Sequence, residues 1–262
     1  MISAVTITYH TGPILIDCLK NLSDNKYISE IVLLNNGNPE GFIETVPEKV
    51  NSEKLKIISG HGNIGFSKGC NLGAKHATGD YILIVNPDCI VRPDFDFKAL
   101  LDALDDPKIM MSTCRIFNKD GTEQRGSRRN ILNPYNVFYG FNLNKSPIPT
   151  DPFYVEATSG AFMLFKKEDY NMLGGFDENY YLHVEDMDLC MKIKQIGGKI
   201  KYFPKVTIMH ALSTSDAPKK FIEQHKLNGL IYYYNKYFGN NLLTPIVLFL
   251  LKIRFYLRFS IK

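Results

Sequence analysis

The chain has 262 residues, of which 45% are hydrophobic and 22% charged, and its formal net charge is +4. This composition is typical of a folded protein with a large core and excludes an intrinsically disordered chain. The charge is uneven, because residues 236–262 carry five cations and no acid, which leaves residues 1–235 at −1. A nearly neutral body argues against a nucleic-acid-binding protein, whose basic residues should lie on the folded domain.

Cysteine usage and the N-terminus bear on the cellular compartment. The five cysteines form no C-x-x-C pair, and each lies among apolar residues. We therefore expect reduced thiols in the core of a cytoplasmic protein. The first residues, MISAVTITYH, lack the basic region and cleavage site of a signal peptide. In the sequence, no apolar run reaches the roughly 20 residues of a membrane-spanning helix.

The first 110 residues predict alternating strands and helices. Four short aliphatic runs predict strands that end in polar residues, at Thr8-Tyr9, Asn35-Asn36, Ser59 and Asn86-Pro87-Asp88. Segments with helical spacing of apolar residues separate them, one near Pro13 and one opened by Gly65. Strands that are apolar on both faces predict a parallel sheet covered by helices. Ligands bind such sheets beyond the carboxyl ends of the strands, so the four polar ends predict a binding crevice.

The second half predicts a different pattern. It begins with the strand IMMSTCRIF and a polar loop that contains Arg128 and Arg129. Two short strands broken near Gly160 follow, then a helix after His183 that is ended by two glycines. A strand ending at His210 and the helix KKFIEQHKLNGLIYYYNKYF complete this half.

Residues 236–262 form a basic and apolar tail. Its apolar stretch, Leu242 to Leu251, is too short to span a bilayer, and basic residues then alternate with Phe, Tyr and Leu. This pattern predicts an amphipathic helix in a membrane interface, with its cations toward anionic headgroups. The alternative is a terminal helix docked on the core of the protein. The lack of balancing acids favours the membrane.

Three positions are candidates for chemistry. Asp88 follows a buried strand in a turn stiffened by Pro87, where it could ligate Mg²⁺ or Mn²⁺ on a diphosphate or merely form an Asx-turn. Glu185, Asp186 and Asp188 crowd the start of a helix, either as caps or with one pKa raised toward that of a general base. His210 is either a structural residue or a ligand.

Two long blocks carry a family resemblance. The first is NIGFSKGCNLGAKHATGDYILIVNPD, which resembles a pattern N-x-G-F-x-x-G-x-N-x-G followed by a strand with a D-x-D motif. The second is SGAFMLFKKEDYNMLGGFDENYYLHVEDMDLCMKIKQIGGKIKYFPKVTIMH, which contains S-G-A, G-G-F-D-E, E-D-x-D-L and a closing His in the family's order. Over about residues 2–212 the chain resembles inverting family-2 glycosyltransferases of the GT-A fold. Within them it is most similar to dTDP-L-rhamnose-dependent rhamnosyltransferases of cell-surface polysaccharide synthesis.

The resemblance implies a metal site and a base. Asp88 matches the last acid of D-x-D and would hold Mg²⁺ or Mn²⁺ on the donor diphosphate, with His210 completing the coordination. Asn86 replaces the first acid of that motif, which removes one carboxylate. Asp186 matches the catalytic base that takes the proton of the acceptor hydroxyl. Glu185 would position the acceptor or tune Asp186.

The resemblance also implies binding residues. Thr8 and Tyr9 would pack against the nucleobase and ribose of the donor, and Asn35 would accept the N3–H of a pyrimidine base through its carbonyl. Asn63 and Lys68 are expected near the nucleotide. On the acceptor side, Gly160 would allow a sugar to approach the backbone. Arg128 and Arg129 would grip the phosphates of a polyprenyl-diphosphate acceptor, or belong to a solvated loop.

The expected organisation is a GT-A catalytic domain over residues 1–235 and a membrane-associating tail over residues 236–262. Within the domain, residues 1–110 would bind the nucleotide-sugar and residues 111–235 the acceptor. The resemblance implies a cytoplasmic enzyme attached peripherally to the inner face of the membrane. It would transfer a sugar, L-rhamnose in the favoured interpretation, to a lipid-linked glycan with inversion.

Three other functions were weighed against this one. A transferase of the same fold could use a UDP-hexose, because a few pocket side chains decide the donor. An inactive nucleotide-sugar-binding module is disfavoured by the presence of Asp88, Asp186 and His210. A nucleotidyltransferase should carry a Gly-rich basic loop after its first strand, whereas the chain has YHTGPILID there.

Overall fold

The structure is a computed structural model that describes residues 1–136, 147–211 and 218–259. Nine strands form one sheet: β1 (Ile2–Thr8), β2 (Ile28–Asn35), β3 (Leu55–Ile58), β4 (Tyr81–Val85), β5 (Cys89–Ile90), β6 (Ile109–Phe117), β7 (Phe153–Val155), β8 (Phe162–Lys166) and β9 (Lys199–His210). The helices are α1 (Ile14–Asp24), α2 (Val46–Val50), α3 (Phe66–His76), α4 (Lys98–Ala103), α5 (Lys167–Met172), α6 (Glu185–Gln195), α7 (Lys219–Phe238) and α8 (Thr244–Phe259), with a short 3-10 helix at Ile43–Thr45.

The first half of the sheet is parallel, as its doubly apolar strands predict. β1 lies between β2 and β4, and β3 pairs with the outer edge of β2. Thr8 at the end of β1 is in register with Asn35 at the end of β2. The carboxyl ends of these strands therefore meet at one edge of the sheet, where the polar residues of the sequence were expected to converge.

The second half joins the same sheet with mixed strand directions. β8 inserts between β4 and β6 and is antiparallel to both, while β9 runs parallel to β6. The two-residue strand β5 pairs antiparallel with the end of β9, which sets Cys89 opposite His210. This pairing brings the turn after β4 beside a histidine more than 100 residues later in the chain.

Apolar side chains fill a core on each face of the sheet. One core packs residues of α3, α6 and α7 against the sheet, and the other packs residues of α1 and α4. Gly73 allows helix α3 to pack closely on strand β1, because a Cβ at this position would lie 2.3 Å from Val5 Cγ1. All five cysteines are buried and free, as the sequence predicts.

The tail forms a helix that packs against the protein on one side. Val247 is fully buried, Leu248 and Leu251 pack against the core, and Arg258 pairs with Glu223 of α7 at 3.1 Å. The docked helix that the sequence left as an alternative is therefore present. The other side of α8 exposes large apolar side chains: Ile246, Phe249, Leu250, Ile253, Tyr256 and Leu257. Lys262 of the predicted basic tail lies outside the described residues.

The helices were also compared with the length of a bilayer. Across the described ranges, each helix is too short or too polar to cross a membrane. The strands and main helices otherwise follow the sequence prediction. The short elements α2, α4, α5 and β5 were not predicted, because two to six residues contain too few turns to show a period.

Candidate active site

The turn that follows β4 is pinned by backbone hydrogen bonds. Cys89 N–H donates to the Asn86 carbonyl at 3.1 Å, which closes the turn around Pro87. The Asn86 N–H donates to the Ala161 carbonyl at 3.0 Å, and the Asp88 carbonyl accepts from the Ala211 N–H at 3.0 Å. These contacts fix Asp88 at the edge of the sheet, where its side chain is 7% exposed.

His210 meets Asp88 in a defined orientation. Its Nε2 lies 3.0 Å from Asp88 Oδ1, and its Nδ1 lies 2.7 Å from Gln124 Oε1. The amide nitrogen of Gln124 donates to Asn118 Oδ1 at 3.2 Å and to the His210 carbonyl at 3.4 Å. The Gln124 oxygen therefore faces the ring and requires a hydrogen on Nδ1. In the neutral ring this leaves the lone pair on Nε2 directed toward Asp88.

This arrangement fits a divalent cation. The Asn86 Nδ2 lies 3.2 Å from His210 Nε2 and can donate to its lone pair, whereas the Asp88 oxygen 3.0 Å away is attracted to Nε2 only through a proton or a metal ion that both can bind. Among the described residues, the buried Asn86 Oδ1 has no hydrogen-bond partner and offers a further oxygen ligand. Burial raises the pKa of the adjacent Cys89 thiol well above its usual range, so this group stays protonated. Asp88, His210 and Asn86 thus form a mostly oxygen donor set, which suits a hard cation such as Mg²⁺ or Mn²⁺.

The metal-binding candidates open into a cavity of about 430 Å³. Strand ends of the first half supply one wall, and α7 with the segment before α6 supplies the other. Tyr9 and Asn63 line it, and both lie within 4 Å of the position that a Cβ on Gly37 would take. The Tyr9 ring, with Gly37 beside it leaving room above the ring face, offers a flat apolar surface on which a nucleobase can stack.

The predicted nucleotide residues are distributed unevenly. Tyr9, Asn63, Asn86 and Asp88 line the cavity. Thr8 is buried beneath it, and its hydroxyl donates to Thr11 Oγ1 at 3.0 Å. Thr8 is therefore not among the described residues that line the cavity, and its contact with the nucleoside stays a prediction.

Two further predicted residues lie outside the described cavity lining, so their roles stay predictions. The side-chain oxygen Oδ1 of Asn35 accepts from the Asn38 backbone N–H at 3.1 Å and from the Asn38 side chain at 3.0 Å. Asn35 thus shapes a turn, and its neighbour Asn36 lines the cavity instead. Lys68 is exposed on α3 and is not among the described residues that line the cavity.

Asp186 lies in the first turn of α6, after a strained segment. His183 has a φ of 67° and Val184 a φ of 75°, a left-handed conformation that is unfavourable for a β-branched residue. Such strain costs on the order of 1–3 kcal/mol and persists where the surroundings impose it. It places His183 in the cavity wall, while Asp186 reaches Gly160.

The Asp186 carboxylate is held by three donors. Its Oδ2 accepts from Arg129 Nη2 at 2.5 Å and from the Gly160 N–H at 3.2 Å, and its Oδ1 accepts from the Met187 N–H at 2.7 Å. A carboxylate has about four acceptor positions, so one remains for an acceptor hydroxyl. Gly160 therefore orients the carboxylate. A Cβ there would lie 3.4 Å from Asp186 Cβ and 3.8 Å from Phe66, which lines the cavity.

Glu185 next to it is a buried acid of a different kind. Burial and, to a lesser extent, the charge of Asp186 raise the pKa of Glu185 to about 8. Glu185 is therefore mainly neutral at pH 7 and adds little negative charge beside Asp186. Its Oε2 has no hydrogen-bond partner among the described residues. Its role in positioning the acceptor or tuning Asp186 stays a prediction.

The two neighbouring arginines have separate roles. Arg128 is buried, and its Nε donates to Glu123 Oε1 at 2.9 Å and Oε2 at 3.1 Å. Arg129 bonds Asp186 and lines a second cavity beside α7 and α8. This corrects the predicted paired grip on phosphate, because the buried Arg128 is committed to an internal carboxylate.

The sequence was next compared with known families. The sequence pattern of the family described as "Glycosyl transferase family 2" matches residues 3–171, which is more than half of the chain. The chain belongs to glycosyl transferase family 2. This confirms the family, the enzyme class and the α/β fold class that the two sequence blocks predicted.

Two relatives of this family-2 glycosyltransferase have informative names. Rhamnosyltransferase WbbL of Escherichia coli K12 is 26% identical over 207 residues, which cover 70% of this chain and 78% of the relative. The N-acetylglucosaminyl-diphospho-decaprenol L-rhamnosyltransferase of Mycobacterium tuberculosis H37Rv is 24% identical over 272 residues, which cover 91% of this chain and 86% of the relative.

A solved structure supports the fold. The mannosyltransferase PcManGT from Pyrobaculum calidifontis, determined with GDP-Man and Mn²⁺, superimposes with a TM-score of 0.63 at 18% identity. The match covers 99% of this chain and 70% of that one. At this identity the comparison concerns the fold, and the family-2 glycosyltransferase has the GT-A fold.

Sequence reasoning missed Gln124 and Asn36. Gln124 belongs to a polar loop after β6 and reaches His210 only because β6 and β9 are neighbours. Asn36 is adjacent to the predicted Asn35, and its Oδ1 accepts from the Ile64 N–H at 3.1 Å. The doubled Asn at the end of β2 was a signal, but a strand end does not show which of two residues faces the cavity.

Proposed function

We propose that the protein is an inverting rhamnosyltransferase that transfers L-rhamnose from dTDP-L-rhamnose to a hydroxyl of a lipid-linked glycan. The observation that carries the proposal is the placement of two sites around one cavity. Asp88 and His210 line its floor, and Asp186 adjoins its wall beside Phe66 and Gly160. The names of the two rhamnosyltransferase relatives support the choice of sugar, and one of them names a diphospho-decaprenol substrate.

The donor would bind with its base near Tyr9 and its diphosphate near Asp88. Asp88, His210 and Asn86 would hold the divalent cation, which supplies positive charge to the departing nucleoside diphosphate. Gln124 keeps the hydrogen on His210 Nδ1, so that Nε2 remains available as a ligand. Because the turn at Asp88 is pinned by backbone hydrogen bonds, these groups are positioned before the donor arrives.

Asp186 would act on the other side of the sugar carbon. Its remaining acceptor position takes the proton of the acceptor hydroxyl as that oxygen attacks the anomeric carbon. Arg129 and the Gly160 N–H hold the carboxylate in place during this transfer. A single displacement inverts the anomeric centre, so a β-linked donor gives an α-rhamnoside, and no covalent intermediate is required.

A donor screen tests this proposal. Purified protein is incubated with Mn²⁺ or Mg²⁺, an N-acetylglucosaminyl-diphosphoryl lipid and a series of dTDP- and UDP-sugars, and nucleoside diphosphate release is measured. We expect the highest kcat/KM with dTDP-L-rhamnose and loss of release with EDTA. If kcat/KM is highest with a UDP-hexose, the protein is instead a transferase of the same fold that uses a UDP-hexose donor. Unchanged nucleoside diphosphate release by the Asp186→Asn variant would show that Asp186 is not the base.

We further propose that α8 attaches the enzyme to the inner face of the cytoplasmic membrane. At about 100° per residue, its exposed apolar side chains fall within roughly one third of the helix circumference, and the buried Val247 lies outside that sector. Lys252 borders this apolar face on one side, and Arg254 and Arg258 border it on the other. An apolar face flanked by cations is typical of helices that lie in an anionic interface.

Vesicle flotation tests this attachment. The full chain should float with vesicles that contain anionic lipid, and a triple variant Phe249→Ser, Ile253→Ser, Leu257→Ser should stay in the soluble fraction. The matched control, Met172→Ser with Ile196→Ser, removes exposed apolar side chains elsewhere and should float like the wild type. Equal flotation of the triple variant and the wild type would contradict attachment through α8.

A further inference from the structure

A second cavity of about 380 Å³ lies between the loop after β6, α7 and α8. Its walls are unusually cationic for a protein whose body carries a net charge near zero. Five basic side chains line it: Arg125, Arg129, Lys226, Arg254 and Arg258. Among the described residues that line the cavity, Glu223 is the acidic one.

This cavity adjoins the proposed active site. Glu223 and Lys226 of α7 line both cavities. Arg129 lines the second cavity and donates to Asp186, while Phe66 lines the first cavity beside Gly160. Asp186 therefore contacts the cationic cavity through Arg129 and lies against Gly160 near the first cavity, although it is not among the described residues that line either cavity.

The described side chains that line this cavity carry excess positive formal charge. Five are basic and one, Glu223, is acidic, which gives +4 before contacts outside the cavity are counted. Arg258 pairs with Glu223 at 3.1 Å, and Arg129 pairs with Asp186. Arg125 is exposed and forms no ion pair with any described residue. Guanidinium groups bind two phosphate oxygens at once, so an arginine-rich cavity favours a phosphorylated ligand.

The other walls of the cavity are apolar. Leu227 and Leu230 of α7 face Leu251, Phe255 and Phe259 of α8 across it. On α8, Arg254 and Arg258 stand at the border between this cavity and the exposed apolar face, next to Leu250 and Leu257. A ligand that fits must combine a strongly anionic group with an apolar chain that continues along α8.

We propose that this cavity binds the diphosphate of a lipid-linked acceptor, with Arg125, Arg129 and Arg254 on the phosphates and the lipid leaving along α8 toward the membrane. The inference rests on the proposed function, because it assigns a site to the acceptor of that reaction. The glycan attached to the diphosphate then lies beside Asp186. The donor and acceptor diphosphates are kept apart, one near Asp88 and one near Arg125.

Direct binding tests the site without transfer. Farnesyl diphosphate and inorganic pyrophosphate are titrated by calorimetry into the full chain with EDTA present, so that metal-dependent binding near Asp88 does not contribute. We expect farnesyl diphosphate to bind more tightly than pyrophosphate, because the apolar walls contact its chain. Arg125→Ala with Arg254→Ala should weaken it at least tenfold. Lys220→Ala, which removes an exposed cation of α7 outside both cavities, should change the affinity less than twofold.

A kinetic comparison makes the test specific to the acceptor. KM is measured for an N-acetylglucosaminyl-diphosphoryl lipid and for the same sugar on the same lipid without phosphate. The double variant should raise the first KM at least tenfold and the second less than twofold. Equal affinity for both probes, an unchanged affinity in the double variant or equal changes in the two KM values would overturn the inference. Transfer that is absent from every acceptor, with farnesyl diphosphate binding still lost in the double variant, would instead overturn the proposed function.

Discussion

The two sides of the candidate active site are built in different ways. On the donor side, Asp88 and His210 are buried at the ends of neighbouring strands, and backbone hydrogen bonds and Gln124 fix their positions. On the acceptor side, Arg125 and Arg254 extend from a loop and a terminal helix and are largely exposed. The difference contrasts a proposed donor site that is fixed by hydrogen bonds with a proposed acceptor site that is built from long, exposed cationic side chains.

The first prediction removes the carboxylate that is proposed to act between the two sides. Asp186→Asn deletes the proposed base but keeps the size of the side chain, so we expect kcat to fall by roughly 10²–10⁴. Nucleoside diphosphate affinity, measured by calorimetry with Mn²⁺, should stay within about twofold because the donor contacts Asp88 instead. A variant that keeps wild-type kcat would show that the proton is taken elsewhere.

The second prediction tests the rigidity of the donor side. Gln124→Leu removes the acceptor from His210 Nδ1 and frees the ring to change tautomer and rotate. We expect Mn²⁺ affinity in the presence of nucleotide to fall by roughly 10–100-fold, and Gln124→Glu to restore most of it, since the carboxylate still accepts from Nδ1. Asn118→Ala serves as the control, because it removes side-chain bonds to Gln124 and Thr122 but leaves the contact between Gln124 and His210. An equal loss in that control would assign Gln124 a purely structural role.

The third prediction separates the two neighbouring arginines. Arg128→Ala leaves the partly buried Glu123 without its ion-pair partner, with the Tyr202 hydroxyl still donating to it, and should lower the free energy of unfolding by about 3 kcal/mol, with little change in kcat per folded molecule. Arg129→Ala leaves the similarly buried Asp186 without its ion-pair partner, so we expect a comparable loss of stability together with a clear loss of kcat. Denaturant unfolding and initial rates distinguish them, and identical profiles would contradict the separation.

The fourth and smallest prediction concerns the buried acid beside the base. Between pH 4.5 and about 8 the native Glu185 keeps a proton that the unfolded chain releases, so this residue makes the protein less stable as the pH rises. Asp186 and Asp188 reinforce the effect and Arg129 opposes it. Glu185→Gln should remove it, so the stability of the variant relative to wild type should rise by up to ~1 kcal/mol per pH unit. Denaturant unfolding at several pH values measures this, with the exposed Glu168→Gln as control; a difference that is independent of pH would contradict it.

The sequence predicted the donor side better than the acceptor side, for a physical reason. Strand ends are visible in hydrophobic patterns, which predict Tyr9, Asn86 and Asp88 at one edge, and all three line the cavity. Asn35 was predicted from the family resemblance, whereas the turn after β2 uses its side chain and leaves the neighbouring Asn36 to line the cavity. The cationic cavity joins three segments that are distant in the chain, so no local pattern could reveal it.

The metal position tests the central claim most directly. Crystals grown with Mn²⁺ and dTDP are measured at a wavelength where manganese scatters anomalously. The predicted result is one anomalous peak on the order of 2 Å from an Asp88 carboxylate oxygen and from His210 Nε2, with the diphosphate in the cavity that Asp186 adjoins. A peak away from both residues, or a diphosphate in a cavity remote from Asp186, would contradict the assignment of Asp88 and Asp186 to one reaction centre.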